Sequence, residues 1–201
     1  MSVHAAVLRA PQRATAASQC AFLGAGIAAA TLLRAAMGWA QPAASTPAAL
    51  AFAAALLALA GTSGWRPERR HLAGAALGIV GAALLLGAWL TTGVHLSLAA
   101  PQHIAALARW TPVVITVAVT EEMVLRGALF AALLRWRDTT TAVVVTSAVF
   151  ALIHVPLYGW QAMPLDLAVG MVLGGLRVMS GGVAAPAVAH ALTDLAAGWL
   201  G

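Results

Sequence analysis

Long apolar runs, broken by glycine, proline and charged residues, predict seven helices at about 18–39, 46–64, 72–94, 110–135, 139–155, 164–179 and 183–200. Most come close to the roughly 20 residues that a bilayer's hydrocarbon core demands, and the sixth is short. Pro156, near the end of the fifth run, is placed to terminate it. The stretch His95 to Arg109 reads as a connection that could hold a surface helix or a re-entrant turn. No internal repeat is evident, and the abundant small residues suit close helix approach inside a membrane. The fold class expected is all-α, a polytopic membrane helix bundle of about seven transmembrane helices.

Composition sharpens that reading. Hydrophobic residues make up 62% of the 201 positions and charged ones 8%, with a mean hydropathy of +0.90, against roughly 25% charged in soluble domains. Little chain remains for a soluble domain, so one integral membrane domain is expected and the lipid bilayer is its first partner. The basic residues are all arginine, and the net charge of +5 is spread over loops without a clustered patch, which argues against nucleic acid as a partner. A single cysteine, Cys20, excludes an internal disulfide and any multi-cysteine metal site, and it lacks the preceding apolar run of a lipoprotein cysteine.

Arg9 and Arg13 followed by the apolar run Cys20 to Leu33 also have the outline of a signal peptide. An uncleaved first span is the reading adopted, because Arg34 interrupts the run and Ala40 to Ala44 matches a cleavage site only loosely. With the N-terminus cytoplasmic, Arg9, Arg13, Arg66, Arg69, Arg70, Arg135, Arg137 and Arg177 fall inside and Arg109 outside. Trp39, Trp65, Trp110, Trp136, Trp160 and Trp199 lie near predicted span ends, as interfacial indoles should. Richness in Ala, Gly and Arg without lysine points to a GC-rich bacterial genome, so the expected location is the bacterial cytoplasmic (inner) membrane. On this topology Glu121 and His190 sit near mid-membrane and His154 toward the outer face, giving a site that opens outward.

Glu121, Glu122 and Arg126 interrupt the apolar stretch Trp110 to Leu134, where each ionised side chain costs on the order of 2.5–3.5 kcal/mol to insert. A helix advances about 100° per residue, so Glu122 and Arg126 share a face while Glu121 points a quarter-turn away. Glu122 is thus the natural partner of Arg126, and Glu121 is left to meet another helix, where a carboxylate near histidines can serve as a general base. A structural charge cluster that fixes helix packing is the plainer alternative for all three. His154 alone would read as an interfacial polar residue. His190 and Asp194, four apart on one face, look like a histidine oriented by a carboxylate, or two groups converging on one water or metal. Together these groups from three predicted helices suit the activation of water. Ser147 and Ser180 carry no nucleophile motif, and no zincin-type His-Glu-x-x-His occurs. Asp166, after Pro164, suits a helix N-terminus through capping and dipole attraction. Arg177 and Arg34 are expected to snorkel to the cytoplasmic and outer interfaces. His71, His95 and His103 read as loop or interfacial groups.

The strings Glu121-Glu122-Met-Val-Leu-Arg126, Phe150-Ala-Leu-Ile-His154 and His190-Ala-Leu-Thr-Asp194, in this order on separate apolar segments, resemble the three motifs of the CPBP intramembrane proteases. That group is named for CAAX proteases and bacteriocin-processing enzymes and is also called Abi. The resemblance covers roughly residues 110–200. It implies a multi-helix catalytic core over 110–201, which the apolar runs precede with about three N-terminal transmembrane helices and a connecting loop over 1–109. It further implies that Glu121 and His154 position and activate a water for peptide hydrolysis, that Glu122 and Arg126 support the site, and that His190 and Asp194 stabilise the tetrahedral intermediate. The eukaryotic CAAX endopeptidases have asparagine where Asp194 stands, and an ionised aspartate only accepts hydrogen bonds. Asp194 would then have to be protonated, to orient His190, or to approach a metal. A divalent metal such as zinc is a cofactor the resemblance leaves open, with Glu121, His154 and His190 as ligands in reach of its chemistry. The expected partner is a membrane-associated protein or peptide substrate. A proton-coupled transporter or channel is the rival, since it too keeps charges inside membranes; an inactive immunity or scaffold membrane protein is a third class.

Overall fold

The computed structural model describes residues 3–67, 71–92 and 104–200, and within these the side chains of 14–67, 73–91 and 104–199. Its elements are α1 (Val3–Gly38), α2 (Thr46–Thr62), α3 (His71–Thr92), α4 (Ile104–Glu122), a π turn (Met123–Leu129), α5 (Phe130–Trp136), α6 (Thr139–Tyr158), a short 3-10 turn (Trp160–Ala162), α7 (Met163–Ser180) and α8 (Ala184–Leu200). Of the described residues, 89% are helical. Because α4, the π turn and α5 run on without a break, the described residues form seven rods, one for each run expected from the pattern. The loop histidines His95 and His103 lie outside the described residues, as does the side chain of His71.

Among the described residues four helical stretches are long and apolar enough to cross a membrane, Ala14–Gly38, Ala73–Thr91, Thr139–Tyr158 and Trp160–Ser180, and Thr46–Thr62 is a shorter apolar helix. With this surface the chain is an integral membrane protein. Leu84, Leu90 and Met179 stand out from the bundle, as side chains facing lipid can. Backbone and hydroxyl groups inside are satisfied locally: Thr146 Oγ1 donates to Ala142 O at 2.8 Å and Ser147 Oγ to Val143 O at 2.7 Å.

Local chemistry sets the ends. Ser45 caps α2, with Pro47 in its first turn, and Asp138 caps α6 by accepting from Thr141 N at 2.8 Å. That exposed carboxyl is held below its ordinary range by the backbone bond from Thr141, then by the Thr141 hydroxyl. Pro156 does not end its helix as expected: α6 continues to Tyr158 and stops at Gly159, whose φ of 81° favours glycine. Lost pairing at one proline amide is tolerated within a packed last turn.

The core gathers Leu23 and Ile27 of α1, Phe52 and Leu56 of α2, Val124 and Leu125 of the π turn, Phe130, Phe150 and Leu173. The strongest packings are α3 on α8, α6 on α7, and α1 on α2, while α4 lies against both α2 and α8. Thus α4 and the π turn are ringed by other rods, and the charges they carry are sealed inside. Trp65, just past the end of α2, is half-buried, and its indole fills the space over Gly127, where an added Cβ would lie 2.8 Å from Cζ2.

Candidate active site

Glu121 and Glu122 end α4, and Arg126 lies in the π turn that follows. A π turn inserts one residue into the helical register and is found most often at functional sites. Arg126 and Glu122 are wholly enclosed, with Nη1 donating to Oε1 at 2.7 Å. Its second terminal nitrogen donates to Gly170 O on α7 at 3.0 Å, and its guanidinium stacks over the Phe150 ring of α6 at 4.8 Å. Even so, Arg126 Nε and Glu122 Oε2 keep no hydrogen-bond partner. This pair anchors α4, α6 and α7 to one another, as the shared helix face suggested.

His190, from α8, completes the cluster. Its Nδ1 lies 3.1 Å from Glu122 Oε1, and its Nε2 lies 3.4 Å from Asp194 Oδ2 and 3.9 Å from Glu121 Oε2. Both ring nitrogens therefore face carboxylate oxygens and are placed to donate. The Phe150 ring meets His190 edge-on at 5.2 Å and tilts against His154 at 4.5 Å, holding both imidazoles in place. His154 Nδ1 is 2.8 Å from Phe150 O, and since a carbonyl only accepts, Nδ1 donates. In the neutral ring the lone pair is then at Nε2, the nitrogen available to a water.

Two adjoining cavities open on these groups. One, of about 60 Å³, is lined by Glu121, His154, Tyr158, Asp194 and Arg34 among apolar side chains; the other, of about 40 Å³, by His154, His190, Asp166, Asp194 and Tyr158. A water needs roughly 10–15 Å³ measured this way, so both can hold more than one. Of the six residues singled out by spacing, Glu121, His154, His190 and Asp194 line this space, and Glu122 and Arg126 lie enclosed behind it, joined to it through the contact of Glu122 with His190.

Three further residues differ from expectation. Arg34 does not snorkel outward: it is buried, its guanidinium stacks over Phe52 at 5.0 Å and its Nη1 comes within 3.8 Å of Glu121 Oε1. The attraction of a buried carboxylate and an aromatic face outweighs the pull of the interface. Arg177 also turns inward, donating from Nε to Arg126 O at 2.8 Å and stacking over Phe130 at 5.1 Å. Where π spacing returns to α spacing one carbonyl must share its amide, and a guanidinium donor beside it is a fitting supplement. Asp166 lies in the first turn of α7, as the dipole argument expected, but the helix has no side-chain cap; Asp166 is instead buried, lines the smaller cavity, and its Oδ2 has no partner. Tyr158, which the pattern gave no reason to choose, stacks on His154 at 5.9 Å. Only its spacing of four from His154 could have marked it.

The donors that zinc would need do not fit as they stand. Among the described residues no three His, Cys, Asp or Glu side chains gather as a ligand group. His190 Nε2 is turned to two carboxylates and His154 Nδ1 to a carbonyl.

Residues 103–196 match the family described as type II CAAX prenyl endopeptidase, Rce1-like. No curated protein and no solved structure matches the chain. The matched segment runs from the start of α4 nearly to the end of α8 and contains the three motif strings and all six clustered residues, whereas Arg34 lies outside it. With the strings in order and their side chains brought together, residues 103–196 are similar to the Rce1-like family, within the CPBP group.

Proposed function

We propose that this protein is an intramembrane endopeptidase that hydrolyses a peptide bond in a membrane-associated protein or peptide, using a water activated between Glu121 and His154. The observation that carries the reading is the cleft of about 60 Å³ in which Glu121 and His154 face the same space deep in an apolar bundle. Water admitted there meets a carboxylate and an imidazole lone pair with little competing solvent, the setting in which general-base catalysis contributes about 10²–10⁴-fold. As the water oxygen bonds to the carbonyl carbon, its proton passes to Glu121 and the C=O electron pair moves onto oxygen. Collapse of that intermediate breaks the C–N bond, and the proton is delivered to the leaving amine.

Glu122 and Arg126 serve as positioning residues, fixing the end of α4 and the His190 ring. His190, oriented by Asp194, adds a donor near the reacting carbonyl. Residues 110–201 then form the catalytic core and the helices of 1–109 its surround. We further read the chain as a protein of the bacterial cytoplasmic membrane, N-terminus inside, with a site opening outward toward exported proteins or their membrane anchors. Arginine asymmetry supports this orientation.

The test is to map new peptide termini in membranes of cells expressing the wild type, Glu121→Gln or His154→Ala. Termini that appear with the wild type and vanish with either variant, at equal amounts of folded protein, are expected. Termini that persist with both would end the protease reading, and a proton-coupled uptake lost with Glu121→Gln would favour a transporter.

A further inference from the structure

The intermediate of this hydrolysis carries a negative oxygen, and an enzyme stabilises it with N–H or O–H donors fixed in advance. Donors in the cleft are few. Asp194 is an acceptor when ionised, His154 Nδ1 is spent on Phe150 O, and His190, the donor named above, shares its N–H groups with Glu122 on one side and with Glu121 and Asp194 on the other. Arg126 is fully enclosed and bonded to Glu122 and Gly170. Tyr158 brings one neutral hydroxyl.

Arg34 is different. Among the described residues it is the one arginine lining the larger cleft, it comes from α1, and it lines that cleft together with His154 and Asp194. Its Nε is buried without a partner, and its 3.8 Å approach to Glu121 is too long for a hydrogen bond. Stacking on Phe52 fixes the plane of the guanidinium and leaves its edge free. A charged fork has thus been carried into the bundle, at the cost of desolvation, and set beside the carboxylate proposed to activate water, with donors unspent.

We propose that Arg34 is a catalytic residue of this chain, donating to the oxyanion of the tetrahedral intermediate in place of the donor that Asp194 cannot offer. The proposal rests on the hydrolytic reading above. The guanidinium suits the task because it presents several N–H groups in one plane. Its interaction strengthens as charge develops on the carbonyl oxygen, so its effect falls on turnover and only weakly on binding of the uncharged peptide.

Purified full-length protein in proteoliposomes tests this with a quenched fluorogenic peptide bearing a prenylated Cys-Ala-Ala-X end, the substrate class in the matched family's name. Arg34→Gln should lower kcat by about 10²–10³-fold with KM little changed. Asparagine at 194 presents N–H donors, so Arg34→Gln with Asp194→Asn should regain at least about tenfold of that loss; a merely structural arginine would give no such rescue. A phosphinate version of the peptide, a tetrahedral anion, should bind the wild type and Glu121→Gln but bind Arg34→Gln at least about tenfold more weakly. Melting in detergent monitors folding, and if Arg34→Gln does not fold, Arg34→Lys and Arg34→Met take its place, with the lysine variant expected to keep more turnover. Full kcat in a folded Arg34 variant, absence of rescue by Asp194→Asn, or a loss confined to KM that disappears with a C-terminally amidated peptide would each overturn the proposal. Phosphinate binding that depends on Arg34 in a protein that cleaves nothing would instead overturn the protease reading and leave the anion site standing.

Discussion

Arg126 has no exposed surface, and the carboxylate four residues before it is what allows that charge to remain inside the bundle. Removing one member of such a pair strands the other in a medium that cannot solvate it. Glu122→Gln should therefore cost about 3–5 kcal/mol of stability, while Glu122→Gln combined with Arg126→Met should cost less. Melting of the purified variants in detergent checks both, and equal losses would mean the pair is not the anchor described here. These residues were readable from sequence because their partners lie on the same helix, at a spacing that fixes who faces whom. Arg34 and Asp166 were not. Their neighbours come from helices far away in the chain, and by local rules an arginine at the end of an apolar run snorkels and an aspartate behind a proline caps. The same limit hid Arg177, whose acceptor is a carbonyl of the π turn.

At the scale of elements, the apolar runs marked all seven rods, since lipid forces helix on any spanning segment. The π turn was invisible because it arises from how α4 and α5 pack, with no composition of its own. Close approach between rods depends on glycine. A Cβ on Gly78 would lie 2.6 Å from Ala185 O and 2.7 Å from Val188 Cβ, so α3 can rest against α8 only without a side chain there. Gly78→Leu should separate the two helices, shift His190, and lower both melting temperature and turnover; Gly87→Leu, with open space around its position, should change neither. At the start of α6, the Asp138 cap contributes stability that is present above the carboxyl's unfolded pKa and lost as pH falls through its lower folded value. Asp138→Ala should accordingly lower the melting temperature slightly at neutral pH and have no effect once the wild-type carboxyl is protonated.

For the whole molecule, orientation decides which substrates can reach the cleft. With Cys20 replaced, a cysteine introduced at Trp160 should react with an impermeant thiol reagent in intact cells and one at Arg137 should not. The reverse pattern would turn the site to the cytoplasm and change the substrate class with it. Architecture, inventory and the convergence of α4, α6 and α8 were legible in one dimension; the arrival of α1 with Arg34 at the same cleft was not, because it depends on how the rods rotate as they pack. The most direct measurement is cleavage of the prenylated fluorogenic peptide by purified protein in proteoliposomes, wild type against Glu121→Gln. Turnover by the wild type and a fall of at least about 10²-fold in the folded variant are predicted. Equal, measurable turnover by the two would contradict the account.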